Sequence, residues 1–141
     1  MNNSPTIDRT GRYQSRVESL RHALLLQNLD AFLVTNPENR RYLSGFTGHD
    51  SGADSAGSLI VTAGAVILIT DARYLEQAGH ECPGLTIQRR DGAFAPIAAG
   101  LLRSAGATRI GIEATHLTVS IYEDLRKQLA GEGREGGQEG A

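Results

Sequence analysis

Two short apolar runs joined by three small residues constrain the fold of this chain more than any other feature. Residues 59–62 (LIVT) and 66–69 (VILI) are rich in β-branched side chains, and the link between them, residues 63–65 (AGA), contains a glycine. Such a pair of runs is typical of a β-hairpin. Because apolar residues occupy consecutive positions, both faces of the hairpin must be covered. The pattern predicts a hairpin inside a sheet flanked by helices.

Amphipathic spacing predicts two helices, over residues 8–28 and 94–104. Residues 8–28 place apolar side chains at spacings of four, three and four on one helix face, namely Tyr13, Val17, Leu20 and Leu24. Residues 94–104 do the same with Phe94, Ile97 and Leu101, and Gly106 is the expected stop of that helix. A further helix is predicted over residues 72–80.

The last helix is predicted to begin near Ser120, because Ser120 and Glu123 have the spacing of a capping box. Short β-rich segments predict three more strands, over residues 31–35, 85–88 and 109–112. Alternating helices and strands indicate an α/β fold, a three-layer sandwich with a mixed β-sheet flanked by helices. The order of the strands is not readable from this pattern.

The length of 141 residues suits one domain. Residues 1–7 are expected to be a flexible lead-in, and residues 8–130 to form the domain. Residues 131–141 (GEGREGGQEGA) have almost no apolar content, so we expect a linker or a disordered tail there.

Charge and cysteine content exclude several functional classes. The net charge is −2, and the basic residues are scattered rather than gathered into the stripe that nucleic-acid binding requires. No apolar run approaches the length of a membrane span, and residues 1–10 do not have the pattern of a secretory signal. The single cysteine, Cys82, suits a reducing compartment. We therefore expect a cytoplasmic protein without nucleic-acid or membrane partners.

No self-contained catalytic, cofactor or metal site is readable from the residues. Residues 52–58 have the glycine spacing of a phosphate-binding loop but lack its lysine and precede a strand rather than a helix. There is no G-x-S-x-G nucleophile motif. Two groups have the chemistry of metal ligands without a recognised spacing: His49, Asp50 and Asp54 in one, and His80, Glu81 and Cys82 in the other. We expect neither to hold a metal.

Two longer segments resemble a known family. Residues 36–48 (NPENRRYLSGFTG) are similar to the N-P-x-N-x-x-Y-L-[ST]-G-[FY]-x-G stretch of the creatinase/prolidase/aminopeptidase P N-terminal domain. Residues 68–78 (LITDARYLEQA) resemble its second signature, L-x-T-D-x-R-Y-x-x-Q-A. The two occur in the family's order, and the similarity extends from about residue 12 to residue 129. The resemblance implies a creatinase-type N-terminal domain with a ribonuclease H-like motif.

The resemblance also implies a function. Full-length members are Xaa-Pro dipeptidases or aminopeptidases whose C-terminal domain, absent here, binds divalent Mn, Co or Zn and cleaves proline-containing peptides. The N-terminal domain is non-catalytic; it pairs subunits into a homodimer and caps the substrate cleft. Two alternatives stay open: a stand-alone dimerising or binding module, and a domain of a non-peptidase relative such as a creatinase.

Family members direct the loop after the first signature toward the cleft, which makes five residues candidates to face it: Phe46, Thr47, Gly48, His49 and, less directly, Arg73. Residues 49–57 are longer and more acidic than the usual link, so their contact with substrate and the choice of substrate stay open.

The same signatures suggest structural roles. Residues 38–44 are expected to form a turn or a single helical turn, with Tyr42, Leu43 and Phe46 anchoring the loop to the core. Asp71 is a plausible N-cap. Arg73 is expected to pair with an acid, and the Tyr74 ring to pack.

Overall fold

The computed structural model describes residues 9–51 and 55–131. The predicted lead-in and all of the predicted tail except Gly131 lie outside these residues. A short 3-10 turn, Ala72–Tyr74, precedes the third helix. In chain order the elements are α1 (Arg9–Leu26), β1 (Ala31–Val34), α2 (Pro37–Ser44), β2 (Gly57–Thr62), β3 (Val66–Thr70), α3 (Leu75–Glu81), β4 (Thr86–Arg89), α4 (Phe94–Ser104), β5 (Ile110–Ile112) and α5 (Val119–Leu129).

The five described strands form one mixed sheet in the order β4-β3-β2-β1-β5. The predicted hairpin is confirmed, with β2 and β3 antiparallel and Leu59 opposite Leu68. Strand β2 is also antiparallel to β1, whereas β5 lies parallel to β1 and β4 parallel to β3. Four strands therefore run in one direction, and β2 alone runs against them.

Alternate residues of the central strands enter two separate cores, one on each face of the sheet. Leu59 and Val61 pack with residues of α1, α2 and α3, while Ile60 packs with residues of α4 and α5. All six residues of β2 are buried. The covered hairpin and the three-layer sandwich are thus confirmed, and the reason is visible in the sequence, because both faces of β2 and β3 are apolar.

Residues 37–44 form a full helix, so the prediction of a turn or single helical turn was wrong. The Asn36 side chain caps this helix by accepting hydrogen bonds from the N–H groups of Glu38 and Asn39. Pro37 takes the first helical position, where its missing N–H costs nothing. Gly45 ends the helix in the left-handed region, with φ of 81°.

Two further predictions need correction. The N-cap of α5 is Thr118, whose hydroxyl accepts from the Ile121 N–H at 3.1 Å, and Ser120 lies inside the helix. The capping-box pattern was therefore read two residues too late. Tyr42 does not anchor the loop either: it is 56% exposed, and the Arg16 guanidinium lies 4.1 Å from its ring centroid. Leu43 and Phe46 are buried as expected.

The four strands that share a direction all end at the same edge of the sheet, which we call the carboxyl edge. The residues that follow these ends are Thr35 after β1, Asp71 after β3, Arg90 after β4 and Glu113 after β5. The loop that leads into β2 reaches the same edge. In open α/β sheets, ligands bind at the carboxyl ends of strands. Among the helices described, none is both long enough and apolar enough to cross a bilayer.

Candidate functional site

The loop between α2 and β2 crosses the carboxyl edge and carries most of the predicted site residues. Its first residue, Gly45, has a positive φ and lies against the Tyr13 ring, so a Cβ there would come within 2.9 Å of that ring. Glycine is the residue that combines this backbone conformation with such close packing. The loop therefore leaves α2 in one defined direction, toward the 3-10 turn and α3.

A buried arginine of α2 fixes the loop through hydrogen bonds. Arg40, which is 1% exposed, donates from Nη2 to the Gly48 carbonyl at 2.6 Å and from Nη1 to the Gly57 carbonyl at 2.8 Å. Nη1 also pairs with Asp50 Oδ1 at 3.0 Å. Asp50 Oδ1 in turn accepts from the Ala56 N–H at 2.7 Å. One guanidinium thus joins both ends of the loop to the start of β2.

A second attachment joins the loop to α3. Thr47 donates its N–H and its hydroxyl to the two carboxylate oxygens of Glu81, at 2.8 and 2.6 Å, and Gln77 Nε2 donates to the Thr47 hydroxyl at 2.9 Å. Partial burial alone would raise the pKa of Glu81. The hydrogen bonds from Thr47 and Gln77, with the nearby charge of Arg41, outweigh burial and lower that pKa below its ordinary value.

Aromatic packing gives the loop a third support. The Phe46 ring is fully buried and meets the Tyr74 ring edge to face, with centroids 5.8 Å apart. The Tyr74 ring therefore packs as predicted. The Tyr74 hydroxyl also donates to the His49 carbonyl, at 3.2 Å. Gly48 fits between Phe46 and Ala56, where a side chain would collide with both. The loop conformation is therefore fixed by contacts along its whole described length.

Burial divides the five predicted cleft-facing residues into two groups. Phe46 and Gly48 are buried, so they support the loop and do not form its surface. Thr47, His49 and Arg73 are exposed on it. The structure brings the five together, because Tyr74 links His49 to the 3-10 turn that contains Arg73.

Arg73 pairs with an acid, as predicted. It binds Asp71 through Nε and Nη2 at 2.9 and 2.8 Å, and Asp71 also caps the 3-10 turn by accepting from the Arg73 N–H. The side-chain hydrogen bonds from Arg73, followed by its backbone N–H and by the charges of Arg73 and Arg90, lower the pKa of Asp71. Asp71 therefore stays ionised and fixes the 3-10 turn that precedes α3.

A second cluster at the carboxyl edge was missed from the sequence. Glu113, directly after β5, accepts from the Asn36 N–H at 2.8 Å and from Asn39 Nδ2 at 2.6 Å, and its Oε1 also accepts from Thr35. His116 Nδ1 lies 3.1 Å from the Thr35 hydroxyl. The only signal in the sequence was an acid placed directly after a short strand. This cluster ties the ends of β1 and β5 to the start of α2.

The candidate metal and nucleophile residues occupy ordinary positions. Within residues 9–51 and 55–131 no three His, Cys, Asp or Glu side chains converge as ligands, and Asp54 lies outside these residues. Glu81 is engaged with Thr47, and Cys82 is 3% exposed. Burial raises the pKa of Cys82 to about 11, which makes its thiol a poor nucleophile. The site therefore presents a rigidly supported surface on which the side chains of His49, an imidazole, and Thr47, a hydroxyl, are exposed.

Comparison with a family model matches residues 16–135 to the Creatinase/Prolidase N-terminal domain. A curated relative, described as an uncharacterised peptidase, YqhT, of Bacillus subtilis (strain 168), is 33% identical over 107 residues. That match covers 76% of this chain and 29% of the relative. The chain therefore spans less than a third of this relative's length.

Solved structures similar to this chain agree with the family match. The Xaa-Pro dipeptidase from Bacillus anthracis has a TM-score of 0.75 and 30% identity, over 83% of this chain and 31% of that chain. The N-terminal domain of the cytoplasmic peptidase PepQ from Mycobacterium tuberculosis H37Rv has a TM-score of 0.73 and 33% identity, over 83% and 86% of the two chains. The first match covers a portion of a longer enzyme, and the second nearly all of an isolated domain.

Proposed function

This chain belongs to the Creatinase/Prolidase N-terminal domain family, and from that premise we propose that it is the non-catalytic N-terminal part of a metal-dependent Xaa-Pro peptidase. In this proposal the domain pairs with a second subunit, and its loop at the carboxyl edge caps the substrate cleft. The enzyme acts on proline-containing peptides in the cytoplasm. The loop residues that face the cleft are Thr47 and His49, with Arg73 beside them.

One observation supports the proposed capping role: three separate sets of contacts fix the loop, while the side chains of Thr47 and His49 stay exposed. Arg40 fixes its carbonyls, Glu81 fixes Thr47, and Tyr74 fixes the His49 carbonyl. A loop held in this way loses little conformational freedom when it contacts a ligand. The imidazole of His49 can donate or accept a hydrogen bond with a peptide backbone.

The chemical step belongs, in this proposal, to a second domain that binds Mn, Co or Zn. A divalent metal ion activates water at neutral pH and polarises the scissile carbonyl. YqhT and the Bacillus anthracis dipeptidase are each about three times as long as the part that aligns with this chain, which leaves room for such a domain. The residues of this chain would exclude water from the cleft and orient the peptide.

The first test is the coding region beyond Ala141. We expect the reading frame to continue into a domain that carries Asp, His and Glu metal ligands. The encoded protein should then cleave Xaa-Pro peptides, and a chelator should abolish the cleavage. A frame without those ligands, or an encoded protein inactive on such peptides with every metal added, would contradict the proposal.

The capping role is tested separately with a matched pair of histidine variants in the encoded enzyme. His49→Ala should lower kcat/KM by about tenfold, the effect of one lost hydrogen bond to a polar substrate group. His22→Ala, which removes an exposed histidine of α1 far along the chain from the loop, should leave kcat/KM unchanged. Equal kcat/KM for the two variants would reject the contact between His49 and substrate.

Subunit pairing is tested by light scattering of the 141-residue chain and of the encoded enzyme over a range of concentrations. We expect the encoded enzyme to have the mass of a dimer. A mass that stays monomeric at every concentration would contradict the pairing role. The peptidase proposal would then be decided separately, by the cleavage assay.

A further inference from the structure

A pocket of about 510 Å³ opens at the carboxyl edge, on the face of the sheet that α4 and α5 cover. We call it the edge pocket. Its volume is within the range of small-molecule sites in proteins. The ends of β1 and β3 and the start of β2 form one wall, and the starts of α4 and α5 form the other. The residues used in the argument below are Ser58, Ile69, Arg90, Phe94, Leu117, Ser120 and Ile121.

The floor of the edge pocket is apolar. Ile69 belongs to the core on this face, and Phe94, the first residue of α4, packs against the same core. Leu117 and Ile121 from the α5 side complete the lining. A compact apolar group placed here would lose contact with water and gain dispersion contacts.

A largely buried serine in the lining has a hydroxyl without a hydrogen-bond partner among the described residues. Ser58 is 5% exposed, and its side chain is on the α4–α5 face because the next residue, Leu59, packs on the opposite face. Ser58 is not among the described residues whose side chains have a hydrogen bond. The hydroxyl oxygen itself is not sealed from solvent, so a ligand atom that bonds to Ser58 would replace water as its partner.

The rim of the pocket favours negative charge. In α5, which has eleven residues, the Ile121 N–H is capped by Thr118, but the N–H groups of Val119 and Ser120 have no acceptor within the helix. There is no acidic side chain in its first turn. The dipole of α5 adds partial positive charge at this end. Arg90 lines the same pocket with its side chain 28% exposed, and its Nη1 is held by the Gly92 carbonyl at 2.8 Å.

The nearby carboxylates are each paired with an arginine. Asp50, which also lines the pocket, accepts from Arg40 and from the Ala56 N–H. Asp71 is bound at both oxygens by Arg73 and lies 3.8 Å from Arg90. Their charges are therefore offset locally and do not cancel the attraction of Arg90 and the α5 terminus.

From these contacts we propose that the edge pocket binds a small monocarboxylate that carries a compact apolar group. The carboxylate binds Arg90 and the first N–H groups of α5, the Ser58 hydroxyl donates to it, and the apolar group lies on the floor. This binding belongs to the 141-residue chain by itself. It does not depend on the proposed capping role or on a second domain.

The test is a titration of the uniformly 15N-labelled chain with 4-methylpentanoate, followed by 1H–15N correlation spectra. We expect saturable shifts at Ser58, Ile69, Ser120 and Ile121. The uncharged 4-methylpentanamide has the same shape and should bind at least about tenfold more weakly, because it forms no charge-assisted hydrogen bond with Arg90. Acetate, which has the charge without the apolar group, should also bind more weakly.

Adjacent arginines provide a matched pair of variants. Arg90→Gln should weaken 4-methylpentanoate binding about tenfold. Arg89→Gln removes the same charge from a side chain that pairs with Asp91 and is not part of the pocket lining, and it should leave binding unchanged. Ser58→Ala should weaken binding about threefold and provides a second variant if Arg90→Gln does not fold.

Three results would overturn the proposal. The first is the absence of saturable shifts around the pocket in the folded wild-type chain. The second is equal affinity for the carboxylate and the amide, which would show that the negative charge of the ligand does not contribute to binding. The third is equal weakening by Arg89→Gln and Arg90→Gln, which would assign the effect to net charge.

Discussion

Arg40 and Asp50 form an ion pair in which the guanidinium is almost fully buried and the carboxylate only partly so. Nη1 and Oδ1 are 3.0 Å apart, and the two side chains are 1% and 22% exposed. Asp50 belongs to the loop that carries Thr47 and His49, and Arg40 binds that loop from α2. The pair therefore connects the stability of the domain to the conformation of its candidate site.

Asp50→Ala should destabilise the domain by about 3 kcal/mol, because it leaves the buried charge of Arg40 without a carboxylate. Asp91→Ala breaks an exposed pair with Arg89, in which the side chains are 72% and 55% exposed, and should cost less than about 1 kcal/mol. Urea unfolding of both variants measures the difference in free energy. Equal losses would mean that the Arg40–Asp50 pair is screened by water as the surface pair is.

Gly48→Ala should destabilise the domain by about 1–3 kcal/mol, because the added Cβ would collide with the Phe46 ring and lie 2.9 Å from the Ala56 Cβ. Gly79→Ala in α3 is the matched control. A Cβ at Gly79 meets nothing within 4 Å, so alanine should stabilise the helix by roughly 0.5–1 kcal/mol. Thermal unfolding should thus move the two variants in opposite directions, and shifts of the same sign would contradict the packing described.

Glu81 should make the stability of the domain depend on pH. Its folded pKa is below its ordinary value of 4.5, so its contribution is present above pH 4.5 and is lost as the pH falls through the folded pKa. Glu81→Gln should therefore cost about 1 kcal/mol near neutral pH, and the difference from the wild type should shrink in acid. Urea unfolding at a series of pH values measures this.

The control for that series is Glu76→Gln, an exposed position on the same helix. Its effect on the free energy of unfolding should be small. A Glu81→Gln effect that stays constant down to the acid limit would show that the carboxylate charge does not hold Thr47.

Cys82 should be unreactive in the folded chain. With a pKa of about 11 and 3% exposure, it has little thiolate and little access to a disulfide reagent. We expect slow modification by a chromogenic disulfide near neutral pH and rapid modification in denaturant, measured by absorbance. Fast modification without denaturant would indicate that the region around Cys82 opens readily.

The sequence predicted the elements best where local chemistry decides the outcome. The hairpin followed from the β-branched runs, and the predicted helix over residues 94–104 matches α4, which Gly106 follows with φ of 73°. The helix at residues 37–44 was underestimated although its signals were present. Asn36 is an N-cap, Pro37 a first helical residue and Gly45 a helix stop, and together they specify two turns of helix.

The site was predicted less well, because its geometry depends on residues far apart in the chain. An arginine in a polar segment looks exposed, yet Arg40 is buried because the carbonyls of Gly48 and Gly57 converge on it from later in the chain. Glu113 meets Asn36 across 77 residues, a contact that no local pattern encodes. Burial of Phe46 was expected, but its edge-to-face contact with the Tyr74 ring could not be derived from the loop alone.

The order of the strands in the sheet also determines when each strand can find its partner during synthesis. Strand β1 is complete early, but its parallel partner β5 and the Glu113 carboxylate, 78 residues after Thr35, emerge from the ribosome much later. At 5–20 residues per second this delay is roughly 4–16 s. For that interval one side of β1 has unpaired N–H and C=O groups, the kind of edge that recruits other chains. The newly made domain therefore keeps this edge of β1 open to other chains until its fifth strand arrives.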